Sequence, residues 1–252
     1  MIETSDISTT WPQIKTVGLA GVIVTFSGEL SEPANRAAIA FRAAVVDLDL
    51  PEVEESNSTL VSTFIRVDLA IYRPEPIIER LEELVASRDW LSAPLPSGRT
   101  LWRVPTLFGT DRAPQLAEAA DLAGCSVEQA IKDLSTTTMR VLTIGFAPGQ
   151  PYLGTLPEYW NLPRQTEITP NVPPGSLVTA VRQFCLFPYA TPTGWRHVGA
   201  TGFLSFRPNS DRPFPLSPGD EMIFDPVSAA EFAQVEATDQ SGNGGAQTEM
   251  LT

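Results

Sequence analysis

The sequence predicts an α+β protein of two domains: an N-terminal α/β, sandwich-like domain and a mainly β second domain. Three observations predict it. Up to Leu107, apolar residues recur alternately at strand and helix periods, in the order β-α-β-α-β. The 23 prolines concentrate in the second half, where short β-type runs are punctuated by APG at 147–149, PPG at 173–175 and SPG at 217–219. Between the halves, SAPLPSG (92–98) reads as a linker, and 252 residues suffice for two cores. The expected boundaries are 1–95, 96–228 and a disordered tail over 229–252.

Each element has its own warrant. KTVGLAGVIVTF (15–26) reads as a strand broken near Gly18 and Gly21, where a bulge or a close backbone approach is expected. Residues 33–48 carry Ala37, Phe41, Ala44, Val45 and Leu48 at helical spacing, with Ser31 as N-cap and Pro33 in the first turn. The acidic stretch 51–59 reads as a loop. Val61, Thr63, Ile65, Val67 and Leu69 alternate as a half-buried strand. Residues 75–87 form a second helix through Ile77, Leu81, Leu84 and Val85, and TLWRVPTL (100–107) completes the alternation as a strand.

Two short helices, 114–123 and 127–134, open the second half, the latter with Ser126 and Gln129 at capping-box spacing. Their pairing resembles a helix-turn-helix, but the second offers only Lys132 against Glu128 and Asp133, which suits packing rather than DNA contact. Strands follow at 139–146, 176–181, 184–188, 202–206 and 221–224, an array that argues for a closed or sandwich-like sheet. The tail contains SGNGGAQ, with four acidic residues and no basic one from Ser228 onward.

Charge and composition narrow the function. The net charge of −13 disfavours nucleic acid and anionic lipid. Two distant cysteines, Cys125 and Cys185, and the single histidine, His197, exclude a disulfide framework and a multi-histidine metal site, and no metal is expected. The polar N-terminus shows no signal peptide and no apolar run reaches membrane-spanning length, so a cytoplasmic protein is expected. No GxxxxGK[ST] or GxSxG motif occurs. Ser176, His197 and Asp220 offer the composition of a triad without the nucleophile elbow, and Cys185, in a β run, reads as buried and inert.

The candidate site lies on loops. IGFAPGQPYLG (144–154) is stiff, aromatic and bracketed by glycine, unlike an ordinary polar loop. Any one of its aromatics could simply fill a core. As a set, such loops bearing Tyr152, Trp195 and the arginines Arg164, Arg182 and Arg196 make a wall for a small polar ligand, the arginines suiting a carboxylate or a carbonyl oxygen.

Several stretches together carry a family resemblance: GFAPGQPYLGTLP (145–157), LPR (162–164), VPPGSL (172–177), FP (187–188), TGWRHVGAT (193–201) and SPGDEMIF (217–224). In order and spacing these resemble the Kip-type family, also called allophanate hydrolase subunit 1. It includes the B subunit of bacterial 5-oxoprolinase, a sporulation-kinase inhibitor and half of the carboxyltransferase part of urea carboxylase. The resemblance covers about 99–227. It implies a cyclophilin-like β-barrel as second domain, with the 145–153 loop rimming the ligand mouth, and a separate Kip-A-type subunit as partner.

It further implies a subunit of an enzyme acting on a small amide or lactam, inactive alone, with ATP-dependent 5-oxoprolinase-like hydrolysis placed first. The alternatives are the carboxyltransferase subunit of a biotin-dependent, urea-carboxylase-like enzyme and a Kip-type histidine-kinase inhibitor. ATP or carboxybiotin would act at the level of the complex, with no cofactor assigned to this chain. No catalytic residue is assigned. The expected substrate-binding residues are Phe146, Pro148, Gly149, Tyr152, Arg164, Gln183, Trp195, Arg196 and Thr201. The chain departs from the family pattern at Ile168 and Thr169, where a second Pro-Arg is usual, and at Gln115, Phe187, Thr193, Ala200 and Gly202.

Overall fold

The computed structural model describes residues 10–251; the segment 1–9, on which the expectation of no leader rests, lies outside the described residues. The chain divides into two compact units, Met1–Pro96 and Ser97–Thr252.

In the first unit the broken strand is a hairpin. β1 (Gln13–Thr16) pairs antiparallel with β2 (Gly21–Thr25). A Cβ on Gly21, at φ +146°, would lie 2.1 Å from the Ile65 carbonyl oxygen, so close approach by a neighbouring strand demands this glycine. Helix α1 (Glu32–Asp47) starts as expected, with Ser31 Oγ accepting from the Ala34 N–H.

Strand β3 (Glu55–Ser58) corrects an expected loop. ESNS has no apolar side chain to announce it. It is held by antiparallel pairing with β4 (Ser62–Arg66) and by Arg42 Nε donating to the Ser56 carbonyl at 2.7 Å. Helix α2 (Pro74–Ala86) ends the alternation. The sheet order is β1-β2-β4-β3, all antiparallel, and both helices share one core with Val22, Val24 and Ile65. The unit is therefore β-β-α-β-β-α.

The strand expected to complete it, β5 (Arg99–Phe108), pairs only within the second unit. There it is followed by α3 (Leu116–Leu122) and α4 (Val127–Thr136), and by β6 (Met139–Ile144), β7 (Pro151–Gly154), β8 (Thr169–Val172), β9 (Ser176–Ala180) and β10 (Gln183–Leu186). Next come β11 (Thr191–Thr193), β12 (Arg196–Thr201), β13 (Glu221–Pro226), α5 (Ala229–Thr238) and β14 (Gln247–Leu251). Hydrogen bonding runs β12-β9-β10-β7-β6-β13-β5, and β5 returns to β12, closing a seven-stranded barrel with β14 beside it. Trp102, Val141, Leu153, Phe184, Val198 and Phe224 alternate inward and fill the interior; Leu116 and Leu134 of α3 and α4 join the same core. The helix pair thus packs on the barrel. β8 and β11 form a separate ribbon. In place of the strand expected at 202–206, only Phe203 makes a β-bridge, to Asn243.

The expected disordered tail is folded, a second correction. Ser228 and Glu231 form a reciprocated capping box that starts α5, and Phe232 is buried against Leu107 and Ala200. β14 pairs antiparallel with residues 99–103 of β5 although its side chains are largely exposed. Its stability comes from main-chain hydrogen bonds, which hydropathy does not register. Phe232→Ala should accordingly cost about 3 kcal/mol; urea unfolding should show the loss, and an unchanged midpoint would mean that α5 is not anchored.

Candidate functional site

The candidate site lies on the outer surface of the barrel wall rather than at a mouth. Register places Tyr152 opposite Cys185, Cys185 opposite Val178, and Val178 opposite His197, one outward row across β7, β10, β9 and β12. The adjacent row holds Gly154, Gln183 and Ala180. Trp195, Phe187 and Val172 of β8 pack over these rows in one cluster with Val178, Ala180 and Cys185, and Tyr152 lies against it.

The Tyr152 and Trp195 rings meet edge to face with centroids 6.0 Å apart. The Arg164 guanidinium sits 5.8 Å from the Trp195 ring centre, exposed, and has no carboxylate partner among the described residues. Gln150 Nε2 donates to the Tyr152 hydroxyl at 3.3 Å. Burial above all pushes the phenol pKa up. Tyr152 therefore stays protonated and, with its oxygen already accepting, has its proton to offer. Gln183 is buried, and its Nε2 is shut off from the surface without a hydrogen-bond partner among the described residues.

Of the expected residues, Tyr152, Arg164 and Trp195 come together here, and Gln183 stands on the adjacent row of β10. Gly149 acts one step back. At φ +74°, with a would-be Cβ 2.5 Å from the Ser205 carbonyl oxygen, it pins the loop to the 205–206 segment. The Gly145 N–H donates to the Gln150 carbonyl at 3.0 Å, folding the loop on itself. The left-handed residue at the start of this loop is Phe146, φ +72°, and its ring is 89% exposed; Pro148 is exposed as well. Neither makes a described contact with the cluster.

Arg196 is spent on structure. Buried, it donates from Nε to Glu118 at 2.8 Å and from a terminal nitrogen to the Pro163 carbonyl at 2.6 Å. Thr201 Oγ1 donates to the Gly175 carbonyl, and the residue borders a different cleft of about 360 Å³ with Val235 and Asp239. Gln150 is a site neighbour that the sequence does not single out, and Cys185, read from the sequence as buried and inert, is a buried neighbour of the cluster. Gln150 lies just before β7, two residues from Tyr152, and its side chain reaches the phenol hydroxyl.

Two reactive residue types are silenced by burial. The Cys185 thiol is pushed far above its ordinary pKa, and His197 is pushed down from 6.5 to about 4, by burial first and with the nearby Arg112 charge adding to it. Asp220 accepts from the Thr100 and Ser217 N–H groups, so its carboxylate serves a turn.

A closed seven-stranded barrel with this topology is a cyclophilin-like domain, and its outer face carries the Tyr152–Trp195 aromatic cluster with Arg164 beside it. The chain belongs to the family of the carboxyltransferase domain, subdomain C and D, whose signature matches residues 12–216. It is 33% identical over 183 residues to the 5-oxoprolinase B subunit of Escherichia coli O157:H7, covering 71% of this chain and 80% of the relative. To the 5-oxoprolinase B subunit of Bacillus subtilis strain 168 it is 27% identical over 234 residues, covering 87% and 95%. The solved urea carboxylase of Kluyveromyces lactis shares the fold, with a TM-score of 0.66 at 16% identity over 95% of this chain and 24% of that one. No helix among the described residues is long and apolar enough to cross a membrane.

The depressed pKa of His197 has a consequence for acid stability. The unfolded chain takes up this proton near pH 6.5 and the folded chain only near pH 4, so stability falls as pH drops through that window. His197→Leu should therefore gain roughly 2 to 3 kcal/mol relative to wild type between pH 7.5 and 4.5. Urea unfolding at the two pH values measures it; a constant difference would contradict a buried, neutral imidazole.

Proposed function

We propose that this chain is the substrate-binding subunit of a heteromeric enzyme that opens a small lactam, 5-oxoprolinase-like, in an ATP-dependent step with a Kip-A-type partner. The observation that carries this reading is the likeness to the 5-oxoprolinase B subunit across four-fifths of that relative's length. The chemistry of the outer-face site supports it. A cyclic amide bearing a carboxylate needs an anion partner, a donor to its carbonyl oxygen and an apolar wall. Arg164 supplies the first, the Tyr152 hydroxyl the second, and Trp195 the third. As the lactam carbonyl is attacked, charge grows on its oxygen, and a donor already in place stabilises it.

One unpaired arginine suits a carboxylate; a nucleotide triphosphate calls for a nest of backbone N–H groups with a metal ion. We therefore assign nucleotide activation to the partner. A reducing cytoplasm suits the two free cysteines, Cys125 and Cys185.

A second reading, transfer of a carboxyl group from carboxybiotin to an amide nitrogen, is favoured by the family's description as a carboxyltransferase domain. In that case Arg164 would meet the carboxylate being transferred.

The test is reconstitution with the Kip-A-type subunit. Arg164→Ala should lower kcat/KM for 5-oxoproline by about 10- to 100-fold, chiefly through KM, and leave the KM for ATP unchanged. Full activity in that variant would remove Arg164 from the site. Biotin-dependent carboxylation of an amide, without lactam hydrolysis, would select the second reading.

A further inference from the structure

The loop that carries Arg164 runs over 163–168, between a 3-10 turn at Glu158–Trp160 and β8, and has no regular secondary structure of its own. Something must nonetheless hold its arginine against Trp195. Arg196 fixes the loop's start through the Pro163 carbonyl, and two glutamines hold the rest. The Gln165 N–H donates to the Gly194 carbonyl at 2.7 Å, and its Nε2 donates to the Trp195 carbonyl at 2.9 Å. Gln165 Oε1 accepts from Gln115 Nε2 at 2.6 Å. Gln115, just before α3, is itself tied to β12 twice: its Oε1 accepts from the His197 N–H at 2.9 Å, and its own N–H donates to the His197 carbonyl at 3.0 Å. Each amide donates and accepts at once, so the pair forms an unbroken strut from α3 through the Arg164 loop to the backbone of Trp195 and His197.

We infer that Gln115 and Gln165 are positioning residues for anion recognition, acting through the placement of Arg164 against Trp195. The inference rests on the reading that Arg164 and Trp195 meet the substrate's carboxylate. An amide serves both positions: leucine is similar in size but at 165 would strand the Trp195 carbonyl and at 115 the His197 N–H, and a glutamate at 165 would set a carboxylate against the Trp195 carbonyl.

The test is a double-mutant cycle on the full chain in complex with its partner, read by calorimetry with two probes, 5-oxoproline and the uncharged 2-pyrrolidinone. Gln165→Leu and Gln115→Leu should each weaken 5-oxoproline by about 5- to 10-fold and 2-pyrrolidinone by less than about twofold. In an Arg164→Ala background neither should cause further loss, because the strut works through that arginine. Equal losses for both probes, full additivity with Arg164→Ala, or no loss would overturn the inference. Gln165→Asn, which keeps the amide but falls one methylene short, serves if a leucine variant does not fold.

If the wild-type complex binds neither probe, the functional reading fails and the strut is judged separately. The indole N–H resonance of Trp195, assigned with Trp195→Phe, should shift alike in Gln115→Leu and Gln165→Leu. A resonance unmoved in both variants would overturn the strut as well.

Discussion

Closure of the second unit depends on how one strand divides its hydrogen bonds. Along one edge β5 runs parallel with β13 over Leu101–Thr106. Its other edge serves two partners in turn: Arg99–Arg103 pair with β14, and Thr106–Phe108 pair with β12. The changeover falls at Val104 and Pro105, where neither partner is matched, and proline has no N–H to leave unsatisfied there. The β12 contact joins the two ends of the sheet. Without it β12 would be an open edge, and the inward side chains would face a cleft that water could enter. With it, residues alternate between a filled interior and an outer face, with shifts of register at Val141–Thr143 of β6 and His197–Gly199 of β12.

That alternation builds the site. The interior is closed and full, and on the outside Tyr152, Cys185, Val178 and His197 line up across four strands by register alone. The β8–β11 ribbon and Trp195 roof part of this row. Under the roof, burial silences Cys185 and His197 and leaves the Gln183 amide without a partner. Arg164, an exposed charge beside the cluster, stands on an irregular loop held by side-chain amides. The scaffold is thus set by backbone pairing and the charge by a few polar bonds.

Features governed by local physics were legible in the sequence. The Ser31 and Ser126 caps, the buried alternation of Thr63, Ile65 and Val67, and the aromatic loops of the second domain could all be read from neighbouring residues. What depends on distant partners was not. Arg164 and Arg196 look alike in the sequence, both near prolines or glycines. Only the fold brings Glu118 to Arg196, 78 residues away, and leaves Arg164 without such a partner among the described residues. β3 and β14 lack apolar side chains on a buried face and are held by their neighbours' backbones. Phe146 was expected at the ligand because its loop is aromatic; the loop delivers Gln150 and Tyr152 instead, and turns the phenylalanine outward.

Placing the site outside the barrel separates two kinds of selection. Residues such as Phe184 and Phe224 answer to folding, while their outward neighbours on the same strands are not bound by the packing of the barrel interior. Ile168, one of the departures from the family pattern, is exposed, and Ala200 lies on the outer face of β12. Ile168 can drift without opening a void, whereas Ala200 is packed against Leu107 and Phe232. A lineage built this way can exchange one small amide for another by rewriting a few outward positions, and the wall behind them need not change. This is the kind of divergence expected when a fold likeness persists at 16% identity.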